Sequence, residues 1–278
     1  MAVIIPAPGL AQAVRLQCRS RKFSSSTAGL APGHIQANLL VLPRAYAADF
    51  VTLCERNPVT CPLLATGSAT ALHAAGGPAL MRSAFDIRTD LPRYNVYRGG
   101  AVVAAGVPDL TPFWAADHVA FLIGCSFSFE GALAAAGLPP RHVRRGTNVA
   151  MFRTTRALSP AGVFSGATAV VSMRPYRAQD VARVRAVTRP FVRMHGEPIA
   201  WGWDAVAELG IADIRRPEFG DAVDILDGEV PVFWGCGVTT AVAVMEAKDK
   251  IEGLVLSHEP GHMLVLDVRE EEYFGSRK

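Results

Sequence analysis

Continuous apolar runs, more than alternating ones, set the pattern of this chain. HVAFLIGC (118–125) reads as a strand buried on both faces; it stops abruptly in small residues, and FEGALAAAG (129–137) then reads as a helix ending at Gly137. The same grammar returns in GATAVVSMRPYRAQDVARVRAVTRPF (166–191), where a buried strand precedes a helix over about 178–188, and in EVPVFWGCGVTTAVAVMEAK (229–248). LVLSHEPGHMLVLDV (254–268) reads as two short strands joined by a Pro-Gly turn, and RTDLPRYNVYRGGAVV (88–103) as a hairpin turning at Gly99-Gly100. In DLTPFWAAD (109–117), Asp109 or Thr111 is a candidate N-cap. Residues 65–83 are small, polar and Gly-rich, the signature of a surface loop. Strands alternating with helices imply an α/β protein, a class whose ligands gather at the carboxyl ends of strands.

Composition narrows the function classes. With 278 residues, 50% hydrophobic and 19% charged, the chain is globular and long enough for one large or two closely packed domains. A net charge of +3 supplies no concentrated basic field, so nucleic acid is not an expected partner, and no apolar run is long enough to span a membrane. The five cysteines form no CxxC pair, which favours reduced thiols and a cytoplasmic location and argues against structural zinc. Residues 1–48 carry no Asp or Glu but include Arg15, Arg19, Arg21, Lys22 and Arg44. That start is either an amphipathic helix leading into the domain or a transit peptide, the latter pointing to the mitochondrial matrix.

Candidate chemistry lies at the strand ends. FLIGCS and VFWGCG each place a cysteine, Cys125 and Cys236, after a glycine where a helix begins. A helix N-terminus lowers a thiol pKa, so a pair facing one cavity is suited to acid and base roles, or one thiol to nucleophilic attack; the plain alternative is two small buried hydrophobes. Glu130 is a candidate base or a favourable first-turn charge. His258 and His262 match HExxH formally, but Pro260-Gly261 between them breaks the helix that motif needs, which leaves a polar turn and no expected metal. Arg88, Asp90, Arg153 and Arg174 are candidates for holding substrate carboxylates. No P-loop, GxGxxG or GxSxG occurs.

The blocks TAGLAPGHIQANL, CERNPVTCPLL, DIRTDLPRYNVYR, HVAFLIGCSFSFEGAL, NVAMFRT, FSGATAVVSMRP, HGEP, DIRRPEFGDAV, EVPVFWGCGVT and HEPGHMLVLD, in this order, resemble the D-glutamate cyclase family of hydro-lyases. The resemblance implies an α/β fold of mixed sheets and helices in two interleaved subdomains. It implies a domain over 27–267 (65–83 a loop), a helical extension over 1–26 and a charged tail over 268–278. It also implies closure of D-glutamate to 5-oxo-D-proline with loss of water, without a cofactor. His195 of the HGEP block joins Cys125, Glu130, Cys236, His258 and His262 in the catalytic set. Three departures stand out: Ala200 where relatives carry histidine, with Trp201 and Trp203 flanking Gly202; Thr155 where they carry Asn; and Thr240-Ala241 where they carry Pro-Gln. These imply a more apolar pocket, with Trp201 and Trp203 touching substrate. The expectation is a carbon–oxygen lyase acting on a small carboxylated or carbonyl substrate. The alternatives are a dehydratase or cyclase of a specialised biosynthetic route and a noncatalytic small-molecule binding protein. Whether it forms a homo-oligomer stays open.

Overall fold

The computed structural model describes residues 9–275, so the first eight residues of the 1–26 extension and the last three of the 268–278 tail lie outside the described residues. The strands are β1 (His34–Pro43), β2 (Leu63–Gly67), β3 (Leu72–Ala74), β4 (Tyr94–Arg98), β5 (Ala101–Val107), β6 (His118–Gly124), β7 (Ala150–Ala157), β8 (Thr168–Arg177), β9 (Ala200–Trp201), β10 (Glu229–Gly235), β11 (Val255–His258) and β12 (Leu264–Arg269). The helices are α1 (Leu10–Arg19), α2 (Ala47–Arg56), α3 (Phe127–Ala135), α4 (Arg141–Arg145), α5 (Val181–Thr188), α6 (Asp204–Glu208), α7 (Thr239–Ala247) and α8 (Glu270–Phe274).

Two antiparallel sheets result, one of eight strands in the order β3-β2-β6-β1-β11-β4-β5 with β12 also on β1, the other β7-β8-β10-β9. The apolar runs expected to form buried strands do so, with six of seven β6 residues and eight of ten β8 residues buried, and β1 is buried at all ten. Ile35, Ala37, Leu39 and Val41 of β1 enter one core and Leu40 and Leu42 another. The four-stranded sheet lies in sequence between β6 and β11, so the first sheet is built from both ends of the chain around the second, and the α/β arrangement is interleaved.

The sheets repeat one another in register. β1 pairs with β6 from Ala37↔Gly124 to Pro43↔His118, and β8 pairs with β10 from Val171↔Gly235 to Arg177↔Glu229. Beyond β6, Ala65 and Thr66 of β2 face Leu122 and Phe121; beyond β10, Ala200 and Trp201 of β9 face Phe233 and Val232, the matching positions. β1 and β8 both run through a 3₁₀ turn (Arg44–Tyr46, Ala178–Asp180) into a helix, α2 or α5. Helices α3 and α7 then tie the halves together. Phe129 and Leu133 of α3 share a core with Val181 and Val184 of α5, while Ala243 and Val244 of α7 share one with Phe50 and Leu53 of α2.

β11 and β12 do not pair with each other. Both lie along the same edge of β1, with Leu40↔Ser257 and Ala37↔Leu264, so residues 259–263 loop out opposite Asn38 and Leu39. Two expectations, the 65–83 loop and the 268–278 charged tail, gain structure here. Residues 65–83 contain most of a hairpin, β2–β3, because Leu64 and Ala65 are buried on β6 despite the small-residue composition. The 268–278 tail begins in β12 and continues as α8, started by three glutamates in its first turn. The Gly99-Gly100 turn has φ of 55° and 76°, the positive values a tight hairpin needs, and the Asp109 carboxylate accepts the Thr111 N–H at 2.7 Å. No helix among the described residues is long and apolar enough to cross a membrane.

Candidate functional site

The two strand–Gly–Cys–helix turns converge. Gly124 and Gly235 end β6 and β10, and each abuts a loop of the opposite half. A Cβ on Gly124 would lie 1.8 Å from the Arg193 carbonyl oxygen, and one on Gly235 would lie 2.8 Å from that of Val59. This close crossing brings Cys125 and Cys236 to one narrow cleft, together with Asn38, Ser126, His195 and Gly237. The cleft holds about 10 Å³, room for roughly one water. Helices α3 and α7 both start at it, and the Phe127 N–H points at the Cys125 sulfur at 3.5 Å.

Burial outweighs the helix termini in setting the thiol chemistry. Desolvation pushes Cys236 up to about 11 and Cys125 higher still, Cys125 also feeling the charge of Cys236. The expectation of a lowered thiol pKa is therefore reversed: both thiols are protonated at neutral pH. Burial likewise pushes His195 down to about 4, so its ring is neutral; Nδ1 donates to the Val59 carbonyl at 2.7 Å, and the backbone is held in the left-handed region at φ 77°. Asn38 supports the same turns, its amide donating to the Gly124 carbonyl at 2.8 Å.

Behind the cleft lies a buried polar cluster. Arg174, fully buried, donates to Glu130 Oε1 at 2.6 Å and to Ser126 Oγ at 2.9 Å, and lies 5.3 Å over the rings of both Phe129 and Trp234. His142 Nε2 stands 2.9 Å from Glu130 Oε1. Burial alone would raise the Glu130 carboxyl, but His142 and Arg174 outweigh it and hold it below its ordinary value. Glu130 and Arg174 thus fix Ser126 and the start of α3 and do not line the cleft. Glu130 Oε2 has no hydrogen-bond partner.

Beside the cleft, across loop 259–263, lies an open groove of about 560 Å³ lined by Asn95, Asn148, Asp221, Glu259 and His262. Asn148 belongs to both, and its amide donates to the Pro260 carbonyl at 3.1 Å. His258 is buried at the end of β11; burial pushes it down to about 4, and its Nδ1 lies 3.0–3.2 Å from the Leu39 backbone. The two histidines are not on a helix and face different surroundings.

All four expected carboxylate holders are committed elsewhere, Arg174 to Glu130 and Ser126. Asp90 is buried and accepts two hydrogen bonds from Arg19, at 2.8 and 2.9 Å, docking α1 on the domain. Arg88 pairs with Asp86 in its own loop, and Arg153 with Glu246 of α7 at 3.0 Å. Arg15 of α1 is also buried, against Val265, Ser83 and Asp267, so the basic start of the chain packs as a helix. Asn38, Ser126 and Asn148 were missed; Asn38, in the middle of the apolar run HIQANLLVLP, was the readable signal, since a buried amide there needs partners.

The sequence profile described as D-glutamate cyclase matches residues 119–267, a stretch that contains both Gly-Cys turns and the 259–263 loop. The chain belongs to the D-glutamate cyclase family. A Bordetella petrii protein is 48% identical over 95% of this chain and 96% of its own, and one from Stutzerimonas stutzeri is 49% identical over 94% of each. A Rubrobacter xylanophilus protein is 47% identical over 96% of this chain and 98% of its own. All three bear the name "putative hydro-lyase".

The departures at 200–203 do not reshape the cleft. Trp201 and Trp203 are 42% and 54% exposed; Trp201 stacks with the Arg185 guanidinium at 4.5 Å, and Trp203 borders a separate surface groove with Ile214 and Ile225. Ala200 is buried in the outer core of the second sheet. The expected apolar widening of the pocket is therefore withdrawn, because β9 is an edge strand and none of Ala200, Trp201 and Trp203 lines the cleft.

Proposed function

We propose that this protein is a carbon–oxygen lyase that adds or removes water on a small carboxylate bound at the Cys125–Cys236 cleft, D-glutamate closing to 5-oxo-D-proline being the first candidate. The observation that carries this reading is the convergence of both Gly-Cys turns, each opening a helix, on one cleft. First-turn N–H groups at such termini favour an anion, which gives the carboxylate a place without arginine. The protonated thiols suit general acid work: as the substrate nitrogen bonds to the carbon of the side-chain carboxylate, the departing oxygen gains two protons, one of them handed on by a thiol, and leaves as water, while the two protons that the ammonium sheds on becoming the amide N–H balance that pair and restore the thiol. Neutral His195 lines the same cleft.

The test is incubation of the pure protein with D-glutamate and with each enantiomer of 5-oxoproline, followed by chiral chromatography. Interconversion that falls at least a hundredfold in Cys125→Ser and Cys236→Ser supports the reading. Saturable binding of these compounds with no conversion would replace it with a binding protein.

A further inference from the structure

The internal repeat places the two thiols as counterparts. Each follows the glycine that ends a matched strand, Gly124 paired with Ala37 and Gly235 with Val171, and each precedes a nine-residue helix. Both sulfur-bearing residues line the one cleft on which the two turns converge, close enough for Cys125 to feel the charge of Cys236. A single acid would need one thiol; a matched pair across a cleft serves a reaction in which a proton leaves one face of an atom and arrives on the other.

We propose that Cys125 and Cys236 act as a two-base pair that exchanges the α-hydrogen of a small α-amino acid with solvent and inverts its configuration. This rests on the site, though not on the lyase chemistry, of the proposed function. Both thiols rest protonated, so the reaction is carried by the small fraction of molecules in which one of them, Cys236 before Cys125, has ionised: that sulfur takes the α-proton and the Cα–H electron pair moves into the carboxylate as an enediolate. The opposite thiol then delivers its proton to the other face of the same carbon. The substrate is inverted, the pair has exchanged protonation states, and nothing is oxidised or reduced. The enediolate carries its charge where α3 and α7 begin, the end of a helix that stabilises an anion. The α-ammonium has a partner in the adjoining groove: Glu259 lines it, and its Oε2 is buried with no hydrogen-bond partner. The cleft holds only about 10 Å³ and is walled by Gly261 and Met263, so this chemistry requires the 259–263 loop, whose Gly261 carbonyl accepts the Thr27 N–H at 2.9 Å, to give way to substrate.

The experiment follows D-glutamate, L-glutamate and both 5-oxoprolines in D₂O by ¹H NMR, with chiral analysis of the same samples. The expected result is loss of the α-¹H signal with inversion in the intact protein, reduced at least a hundredfold in Cys125→Ser and in Cys236→Ser. Cys18→Ala, remote in α1, keeps the exchange. Conversion of D-glutamate to 5-oxoproline with the α-¹H fully retained overturns the two-base pair and leaves the lyase reading standing. Exchange without water loss does the reverse. Exchange that survives both serine substitutions in one chain also overturns the pair, and absence of both exchange and conversion overturns both. Circular dichroism of each variant separates a lost function from a lost fold.

Discussion

Ser128 and Thr239 do the same work in the two halves. The Ser128 hydroxyl accepts the Gln36 N–H at 3.0 Å and donates to the Gln36 carbonyl at 3.3 Å; the Thr239 hydroxyl accepts the Val170 N–H at 2.9 Å and donates to the Val170 carbonyl at 3.4 Å. Each clasps the helix after a Gly-Cys turn to the strand beside it, where the backbone groups are fully buried. Ser128→Ala or Thr239→Val strands a buried N–H, and each is expected to cost about 1–3 kcal/mol in urea denaturation. The double variant is expected to show near-additive losses, since the two clasps share no partner.

The glycines that end β6 and β10 make a graded prediction. A methyl at Gly124 would meet backbone at 1.8 Å, a distance no rotamer relieves, while one at Gly235 meets backbone at 2.8 Å. Gly124→Ala is therefore expected to destabilise by about 3 kcal/mol or more and Gly235→Ala by about 1–2 kcal/mol. Equal losses in chemical denaturation would mean that the halves cross more loosely than these distances imply.

What the sequence revealed and what it hid divide along the range of the interactions. The strand–Gly–Cys–helix grammar at 118–137 and 229–247 was legible because burial, turn and helix are set by neighbours in the chain. The placing of both cysteines at one cleft followed from that grammar. The charged candidates were not legible: Arg88, Arg153 and Asp90 looked like substrate-binding groups because the partners that satisfy them, Asp86, Glu246 and Arg19, are chosen by folding. The thiols were misjudged for the same reason, since the helix N-terminus is local and visible whereas the burial that outweighs it is not. The bulge of 259–263 off β1 was hidden too, because only the pairing with Gln36–Val41 shows that β11 and β12 share an edge.

Glu130 and Arg174 form a buried pair whose loss has a sign. Glu130→Gln leaves the Arg174 guanidinium buried against a neutral partner, with an expected cost of about 3–5 kcal/mol. Because the folded carboxyl is held below its ordinary 4.5, its contribution is present above that value and is lost as pH falls through the lower folded value. The intact protein should therefore lose stability steeply below pH 4.5, and Glu130→Gln should show a shallower acid slope. Parallel slopes would remove Glu130 from the account of acid unfolding.

His195 and His258 act one step higher on the pH scale. Both are buried and neutral, pushed from 6.5 down to about 4, so the unfolded chain binds their protons first. Stability then declines as pH falls from 6.5 toward 4 and levels below, by about 3 kcal/mol for each ring. Urea midpoints at pH 7 and pH 4.5 measure the decline; His258→Asn is expected to lower stability at pH 7 and to remove its share of the slope. A midpoint unchanged between those pH values in the intact protein would place both rings in contact with water.

The thiols give the most direct reading of the cleft. Cys236 sits at about 11 and Cys125 above it, so the thiolate fraction of Cys236 rises about tenfold per pH unit across the neutral range and exceeds that of Cys125 throughout. Both residues are almost fully buried, so alkylation waits on an opening of the cleft as well as on the thiolate. Iodoacetamide labelling followed by peptide mass spectrometry should therefore be slow at pH 7, accelerate with pH until about 11, and reach Cys236 before Cys125. Thr27→Ala removes a hydroxyl that accepts the Met263 N–H at 3.0 Å and so loosens the 259–263 loop; it should speed labelling of both by a similar factor without changing their order. Labelling of Cys125 first, or a rate independent of pH, would show that the helix N-terminus and not burial governs these sulfurs, and would restore a thiolate nucleophile to the chemistry of the site.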